Sequence, residues 1–553
     1  MTRTLTAAID WPISIDLDQV DRIAAGWLLP TLVGLPLAVA VLLLVGRRIS
    51  DHVATQIAVL TASATFALAA LAAVAAAPYS NGQPGISFDR SWIPAFGVRL
   101  HLGIDGVSAP MVLLTALLGL LVCWHTVRVR PEAGRARALV ACFLAVEGGA
   151  LATFTALDVI VFFVAFEIVL VPMWFVIAVW GDDHGPGGET ARREAANRFI
   201  LYTALGSAVM LLGLLLVSLR AGSTDLEALA FRAGSGLGSG VQIVAAALIV
   251  AGLAVKAPAF PLHSWLPPAH TTAPTGGSVL LAGVLLKMGT YGLVRVAVPV
   301  VPDGVRAIAP VLGALGVAGI LWAGLACFVE RDLKRLIALS SVAHMGFVLL
   351  GVASMTPQGL QVALFANVAH GLITGLLFFV VGAVKDRHHS ADLATIGSGL
   401  RDRVPRLGWL LAFGAIAGLG LPGLAGFWGE LLAVVGAWNG AAALHGLARP
   451  LAVGAAIGTV VASAYLLRVL RLIWHGPADS GITVAARVTA AADPAIAPVV
   501  LARRFMGDAT RHEVAVAAPL VAATVLFGVL PGLLLDVTGP AVRVLLLVSG
   551  GTP

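Results

Sequence analysis

Apolar stretches close to 20 residues long recur along the whole of this 553-residue chain, and that length lets an α-helix cross a hydrocarbon core of about 30 Å. They fall roughly at 27–46, 54–77, 105–127, 137–157, 158–180, 196–219, 241–262, 273–298, 304–329, 335–355, 358–384, 407–439, 450–474 and 514–538, about fourteen in all. In lipid a helix satisfies its own backbone hydrogen bonds, so the chain reads as an all-α polytopic membrane protein. Charged residues make up 12% of it, against roughly 25% in soluble domains, so each charge inside a span calls for an explanation.

Most of the 35 Lys and Arg gather in alternate loops: Arg47–Arg48, Arg128–Arg137, Arg192–Arg198, Arg331–Arg335, Lys385–Arg406 and Arg468–Arg511. Basic loops stay in the cytoplasm, which predicts both termini outside and a multi-pass protein of the bacterial cytoplasmic membrane. The net charge of +6 then faces anionic lipid headgroups and implies no nucleic acid. Before Trp27 the chain carries Asp10, Asp16, Asp18 and Asp21, without the apolar core and cleavage site of a signal peptide. Cys123, Cys142 and Cys327 all lie in apolar spans, with no disulfide framework and no metal-ligand spacing.

Three loops carry their own signals. "ISFDRSWIPAFGVRLHLGIDG" alternates around turn formers and predicts a β-hairpin on the outer surface, placed to contact neighbouring subunits. "AGSGLGSG" (233–240) lacks a preceding strand and the spacing of a nucleotide-binding loop, so it reads as a linker. The Ala/Pro-rich stretch 476–511 reads as a cytoplasmic loop or surface helix.

An ionisable residue inside a span costs about 2.5–3.5 kcal/mol on insertion scales and marks function by default. Glu167 stands in "VIVFFVAFEIVLVPMWFVIAVW", Lys256 in "GLAVKAPAFPLHSWLPPAH" and Lys287 in "SVLLAGVLLKMGTYGL". His344 stands in "SSVAHMGFVLL", His370 in "NVAHGLITGLLFF" and Glu430 after "GLGLPGLAGFWGE". The structural alternatives are a buried ion pair for Glu167 and Lys256 and hydrogen-bonded packing for the histidines. Glu147, in "FLAVEGGALATF", is either a relay member or a carboxylate reaching a subunit interface. Neutralising a lysine at pH 7 costs about 4.6 kcal/mol, from a reference pKa near 10.4 at 1.36 kcal/mol per unit. Keeping it charged in the bilayer costs a comparable amount, so a neighbouring carboxylate can tip the balance and its withdrawal can release a proton.

Prolines 258, 261, 267 and 268 follow Lys256 and remove backbone donors, freeing carbonyls near Ala254 and Leu262 for water or a side chain. A second interruption, Leu421 to Gly426, comes five spans later beside Glu430. Paired broken helices point to structural repeats: two inverted five-helix repeats, helices 4–8 and 9–13, with helices 7 and 12 broken. The expected organisation is 1–135 with helices 1–3 and the hairpin, 136–300 and 301–475 as the two repeats, and 476–553 as the cytoplasmic loop and helix 14.

"FEIVLVPMWFVIAVWG", "VKAPAFPLHSWLPPAHTTAPTGGSVLLAGVLLKMGTYGLVR", "ERDLKRLIALSSVAHMGFV", "VAHGL" and "LPGLAGFWGE" resemble the antiporter-like, proton-conducting membrane subunits of bacterial NADH:quinone oxidoreductase, respiratory complex I, from about residue 90 to 475. The resemblance implies fourteen helices with an inverted repeat. It implies Glu167 and Lys256 as the coupled pair of a first half-channel, Lys287 as the connecting lysine, His344 and His370 as central relay groups, and Glu430 as terminal proton carrier. Glutamate at 430 favours this subunit over its sisters and over multisubunit sodium/proton antiporters, which typically carry lysine there. NADH, FMN, iron–sulfur clusters and quinone would belong to partner subunits, leaving no cofactor and no metal on this chain. Its partners would be the membrane-arm subunits on either side, and lipids. The rivals are a Na+/H+ antiporter subunit, a membrane-bound hydrogenase subunit and a non-conducting scaffold; a scaffold has no reason to bear these intramembrane charges.

Overall fold

The computed structural model describes residues 17–76, 85–129, 135–182, 187–476 and 507–548. The stretch 477–506, most of the expected cytoplasmic loop, and residues 1–16 lie outside the described residues.

In chain order the elements are α1 (Leu17–Val45), α2 (Asp51–Ala76), β1 (Ile86–Ile93), β2 (Val98–Ile104), α3 (Ala109–Arg128) and α4 (Ala136–Thr155). They continue with α5 (Val159–Trp180), α6 (Gly188–Ala221), the short α7 (Leu226–Arg232), α8 (Ser239–Lys256), α9 (Leu266–Thr272) and α10 (Thr275–Val300). Next come α11 (Pro302–Val329), α12 (Leu333–Ala353), α13 (Pro357–His388), α14 (Pro405–Gly418) and α15 (Ala425–Asn439). The last are α16 (Ala441–Trp474), α17 (Arg511–Val529) and α18 (Gly532–Val548). Thirteen helices among the described residues are long and apolar enough to cross a membrane.

Two expected spans are divided. The stretch 407–439 is two helices of 14 and 15 residues, each too short to cross alone, because Gly420 and Gly423 take left-handed backbone between them. The stretch 514–538 is not one helix either. α17 stops at Val529 ahead of Pro531, and α18 begins at Gly532, since proline cannot donate to the preceding turn.

Glu147, Lys287, His344 and His370 ride on the helices most removed from the surface. The apolar windows of α10 and α13 are 100% buried, and those of α12 and α4 are 94% and 89% buried, against 28–56% for most of the others. Their charges therefore meet protein, not lipid, while large apolar residues are exposed on α1, α6, α11 and α16. Small residues allow the tightest helix approaches: a Cβ on Gly252 of α8 would stand 2.4 Å from the Gly206 carbonyl of α6.

The alternating stretch folds as an antiparallel hairpin, with Ile86 opposite Ile104 and Asp89 opposite His101. Polar contacts seat it on the membrane domain. The Leu157 N–H donates to the His101 carbonyl at 2.9 Å, and the Arg295 guanidinium meets Asp105 at 2.5 Å, both residues being buried. His101 Nδ1 lies 2.8 Å from Asp225 Oδ2. Burial opposes the charge on His101, but the hydrogen bond and charge of Asp225, with Asp89 and Glu227, outweigh it and hold the imidazole above its usual 6.5.

One local device occurs twice, five spans apart. The N–H of Val159 donates to Thr224 O and that of Leu226 to Leu157 O; the N–H of Leu333 donates to Ala391 O and that of Leu393 to Arg331 O, all at 2.8 Å. In each copy an aspartate (Asp158, Asp332) caps the spanning helix and a second (Asp225, Asp392) caps a short helix. The sequence marks both copies, as Ser-Thr-Asp-Leu at 223–226 and Ser-Ala-Asp-Leu at 390–393. The marks lie in loops, where a search for charges in spans passes over them.

Candidate functional site: a line of ionisable groups through the buried helices

Lys256 is the last residue of α8. Its ammonium donates to the Phe166 carbonyl at 3.1 Å and lies 3.9 Å from the centroid of the Phe166 ring. The expected Glu167 is the next residue, at a discontinuity of α5: Pro172 has no N–H to offer Ile168, and the regular helix is interrupted at Val169. Glu167 is within electrostatic reach of Lys256, yet among the described residues no ion pair joins them, and Oε1 of Glu167 is buried without a hydrogen-bond partner. The amine thus rests on the carbonyl of the residue before Glu167, within electrostatic reach of the carboxylate but not paired with it.

The break after Lys256 is filled by protein. Ala259 N–H bonds the Ala254 carbonyl at 2.9 Å, and the freed Val255 carbonyl accepts the Trp265 indole N–H at 3.0 Å. At the second break the freed carbonyls of Gly418 and Leu419 take His344 Nε2 at 3.0 Å and the Ser463 hydroxyl at 3.2 Å.

From Lys287 onward the expected residues come together. α10 widens to π-helix at Leu281–Leu285, just before Lys287, and again at Leu293–Ala297. Such bulges release carbonyls and recur at functional sites. Lys287 Nζ donates to the Ala282 carbonyl and lies 2.5 Å from Nδ1 of His370. Two cations in contact repel, so the pair carries no more than one positive charge. The His370 ring centroid is 5.6 Å from that of His344, whose Nε2 is 3.4 Å from Glu430 Oε1. Nδ1 of His344 faces the Ser340 carbonyl at 2.7 Å while Nε2 faces Gly418 O. Nδ1 also lies 3.3 Å from the Ser340 hydroxyl, which can donate to it, so the ring is satisfied either doubly protonated or as the Nε2–H tautomer. A cavity of about 30 Å³ lies among His344, His370, Glu430, Ser340 and Thr374, room for one or two waters. Lys287, His370, His344 and Glu430 thus form a line of short steps across α10, α13, α12 and α15.

Glu147 stands apart from this line. It is fully buried within the chain. Both its oxygens lack a hydrogen-bond partner, and its carboxyl packs on Gly119 of α3, where a Cβ would lie 2.5 Å from Cδ.

Several polar residues of the interior escaped the sequence reading. His270 is fully buried, its ring stacked on Phe378 at 4.7 Å with neither nitrogen hydrogen-bonded. It lies within electrostatic reach of both Lys287 and Lys334, and buried Lys334 donates to the carbonyls of Thr271 and Ala273. Thr290 Oγ1 donates to Asn367 Oδ1 at 2.9 Å beside the Lys287 pair. His270 ends the quoted Pro-rich stretch, 14 residues after Lys256, and that position was its only signal.

A polytopic helical protein with amines, imidazoles and carboxylates in line through its buried helices belongs to the class that moves small cations across membranes. The profile of the family described as NADH:quinone oxidoreductase/Mrp antiporter, transmembrane, matches residues 156–455. The chain is 36% identical over 533 residues to NADH-quinone oxidoreductase subunit M of Rhodobacter capsulatus, covering 93% of this chain and 95% of that one. Among solved structures it superposes on a chain of respiratory complex I from Thermus thermophilus with a TM-score of 0.79 at 27% identity, covering 95% of this chain and 100% of that one. It shares its fold with a chain of the Mrp complex from Dietzia sp., with a TM-score of 0.75 at 24% identity, covering 94% and 97%. The chain belongs to the NADH:quinone oxidoreductase/Mrp antiporter family.

Proposed function

We propose that the chain is a proton-translocating membrane subunit of the M type in an NADH:quinone oxidoreductase. NADH, FMN, iron–sulfur clusters and quinone then sit on partner subunits, and this chain takes part through charge. The observation that carries the reading is the contiguous line Lys287, His370, His344 and Glu430. In that line a charge arriving at one end alters the protonation of the next group, because neighbouring titrations are coupled. Glu167 and Lys256 act upstream: a change of charge in an adjoining subunit alters how strongly Glu167 holds the Lys256 ammonium, and the proton released passes to Lys287. We assign Glu147 no step.

The paired Asp-capped bridges and the two interrupted helices support two inverted repeats, 136–300 and 301–475. With an odd number of spans between copies, the two bridges face opposite sides of the membrane. The distribution of Arg and Lys supports both termini outside.

Glu430 favours the redox-driven reading over sodium/proton exchange. Inverted vesicles bearing the intact complex are expected to acidify on NADH addition in sodium-free buffer. A pH change driven by a sodium gradient without NADH, together with no NADH-driven acidification, would refute the proposal.

A further inference from the structure

Outside the membrane-buried line, the described residues hold one group of side chains with ligand atoms close enough to share a metal ion: His101 on β2, with Asp225 and Glu227 at the start of α7. One ligand atom from each lies within 4.8 Å of the others. Linear spacing hid the cluster, because 124 residues separate His101 from Asp225.

Each part of the group has a distinct place. His101 Nδ1 meets Asp225 Oδ2 at 2.8 Å, while Asp225 Oδ1 accepts the Ala228 N–H, also at 2.8 Å. Asp225 is thereby fixed by its cap and in turn fixes the imidazole. A carboxylate on one ring nitrogen sets the tautomer that leaves the other free for a metal. That other nitrogen, Nε2, points at Glu227 Oε2 from 3.9 Å. Zinc bonds of about 2.1 Å in tetrahedral geometry place two ligand atoms about 3.4 Å apart, so a small movement of Glu227 closes the site. The His101 side chain is 8% exposed and that of Glu227 42%, so the nitrogen is sheltered while the carboxylate opens an entry path and leaves positions for water. Asp89 stands opposite His101 in the strand register, giving three carboxylates around one imidazole. The nearest cations are already engaged, Arg99 with Asp89 and Arg295 with Asp105.

We infer that His101 Nε2 and the Glu227 carboxylate bind a divalent transition metal of the zinc class, with Asp225 orienting the imidazole, and that the ion clips the β-hairpin to the segment following α6. An imidazole with carboxylates suits zinc, whereas magnesium keeps its waters and prefers an all-oxygen octahedron. The inference is independent of the proton-transfer reading.

The test uses the intact, purified complex. Electron cryo-microscopy maps are compared after exposure to micromolar ZnCl2 in millimolar MgCl2 and after treatment with chelator. The expected result is a zinc-dependent peak between His101 Nε2 and Glu227, lost in both His101→Ala and Glu227→Gln, with one zinc fewer per complex by elemental analysis. Glu227 lies at the surface, so its variant folds even where His101→Ala loosens the hairpin. Absence of the peak in the unaltered protein, or a peak that survives Glu227→Gln, overturns the assignment.

Discussion

Lys287 and His370, 83 residues apart, meet at 2.5 Å between Nζ and Nδ1 in the wholly buried centre of the molecule. Two bases there share no more than one positive charge, and the next imidazole, His344, meets the carbonyls of Ser340 and Gly418. The groups lie within short steps of one another from Lys287 to Glu430.

Lys287→Arg tests whether the lysine must lose its proton. Arginine keeps the positive charge but does not deprotonate in proteins. Lys287→Arg and Lys287→Ala are therefore both expected to lower proton pumping on the order of 10²-fold, the usual scale for a positioned proton-transfer group. Normal pumping by the arginine variant in vesicles would show that charge alone is needed.

Gly420 tests the second break. Its φ is +77°, and a Cβ there would lie 2.9 Å from Glu430 Oε2. Gly420→Ala costs about 1–2 kcal/mol through left-handed backbone and displaces the carboxylate from His344. Pumping is expected to fall while the assembled amount of the complex changes little, as read by native gels against proton uptake; unchanged pumping would mean that the position of Glu430 is not critical.

Glu147→Gln is expected to leave proton pumping at its original level, because the carboxyl lies off the line and glutamine fills the same volume. Glu147→Ala opens a cavity and is expected to cost about 2–5 kcal/mol, by analogy with large-to-small core changes. A pumping defect in a stably assembled Glu147→Gln complex would return this residue to the relay.

Arg295→Ala removes one partner of the buried pair with Asp105 and leaves an uncompensated charge, a loss of about 3–5 kcal/mol. Replacing both residues with apolar ones of similar size is expected to recover much of it. Thermal inactivation of the two variants measures the difference, and equal loss in both would contradict the ion-pair account.

Much of this was legible in the chain because membrane solvation is unforgiving: an apolar run of 20 residues has few alternatives to a spanning helix, and an ionisable residue inside one, such as Lys256, Lys287 or Glu430, marks function by default. What escaped depends on contacts between distant segments. Nothing local announces that the Phe166 carbonyl receives Lys256, that Gly418 O receives His344, or that α10 widens before Lys287. His270 drew no reading from the sequence, although the fold buries it near two lysines. Pro531 was visible, but hydropathy ran through it and suggested one helix where there are two.

The most direct test of the central claim is the number of protons moved per NADH oxidised by the intact complex carrying Glu430→Gln. The substitution keeps the volume and removes the ionisable carboxyl that faces His344 at 3.4 Å. The account predicts a lower ratio, with NADH oxidation by an artificial acceptor in the partner subunits unchanged. A ratio equal to that of the unaltered complex, at equal assembly, would contradict it.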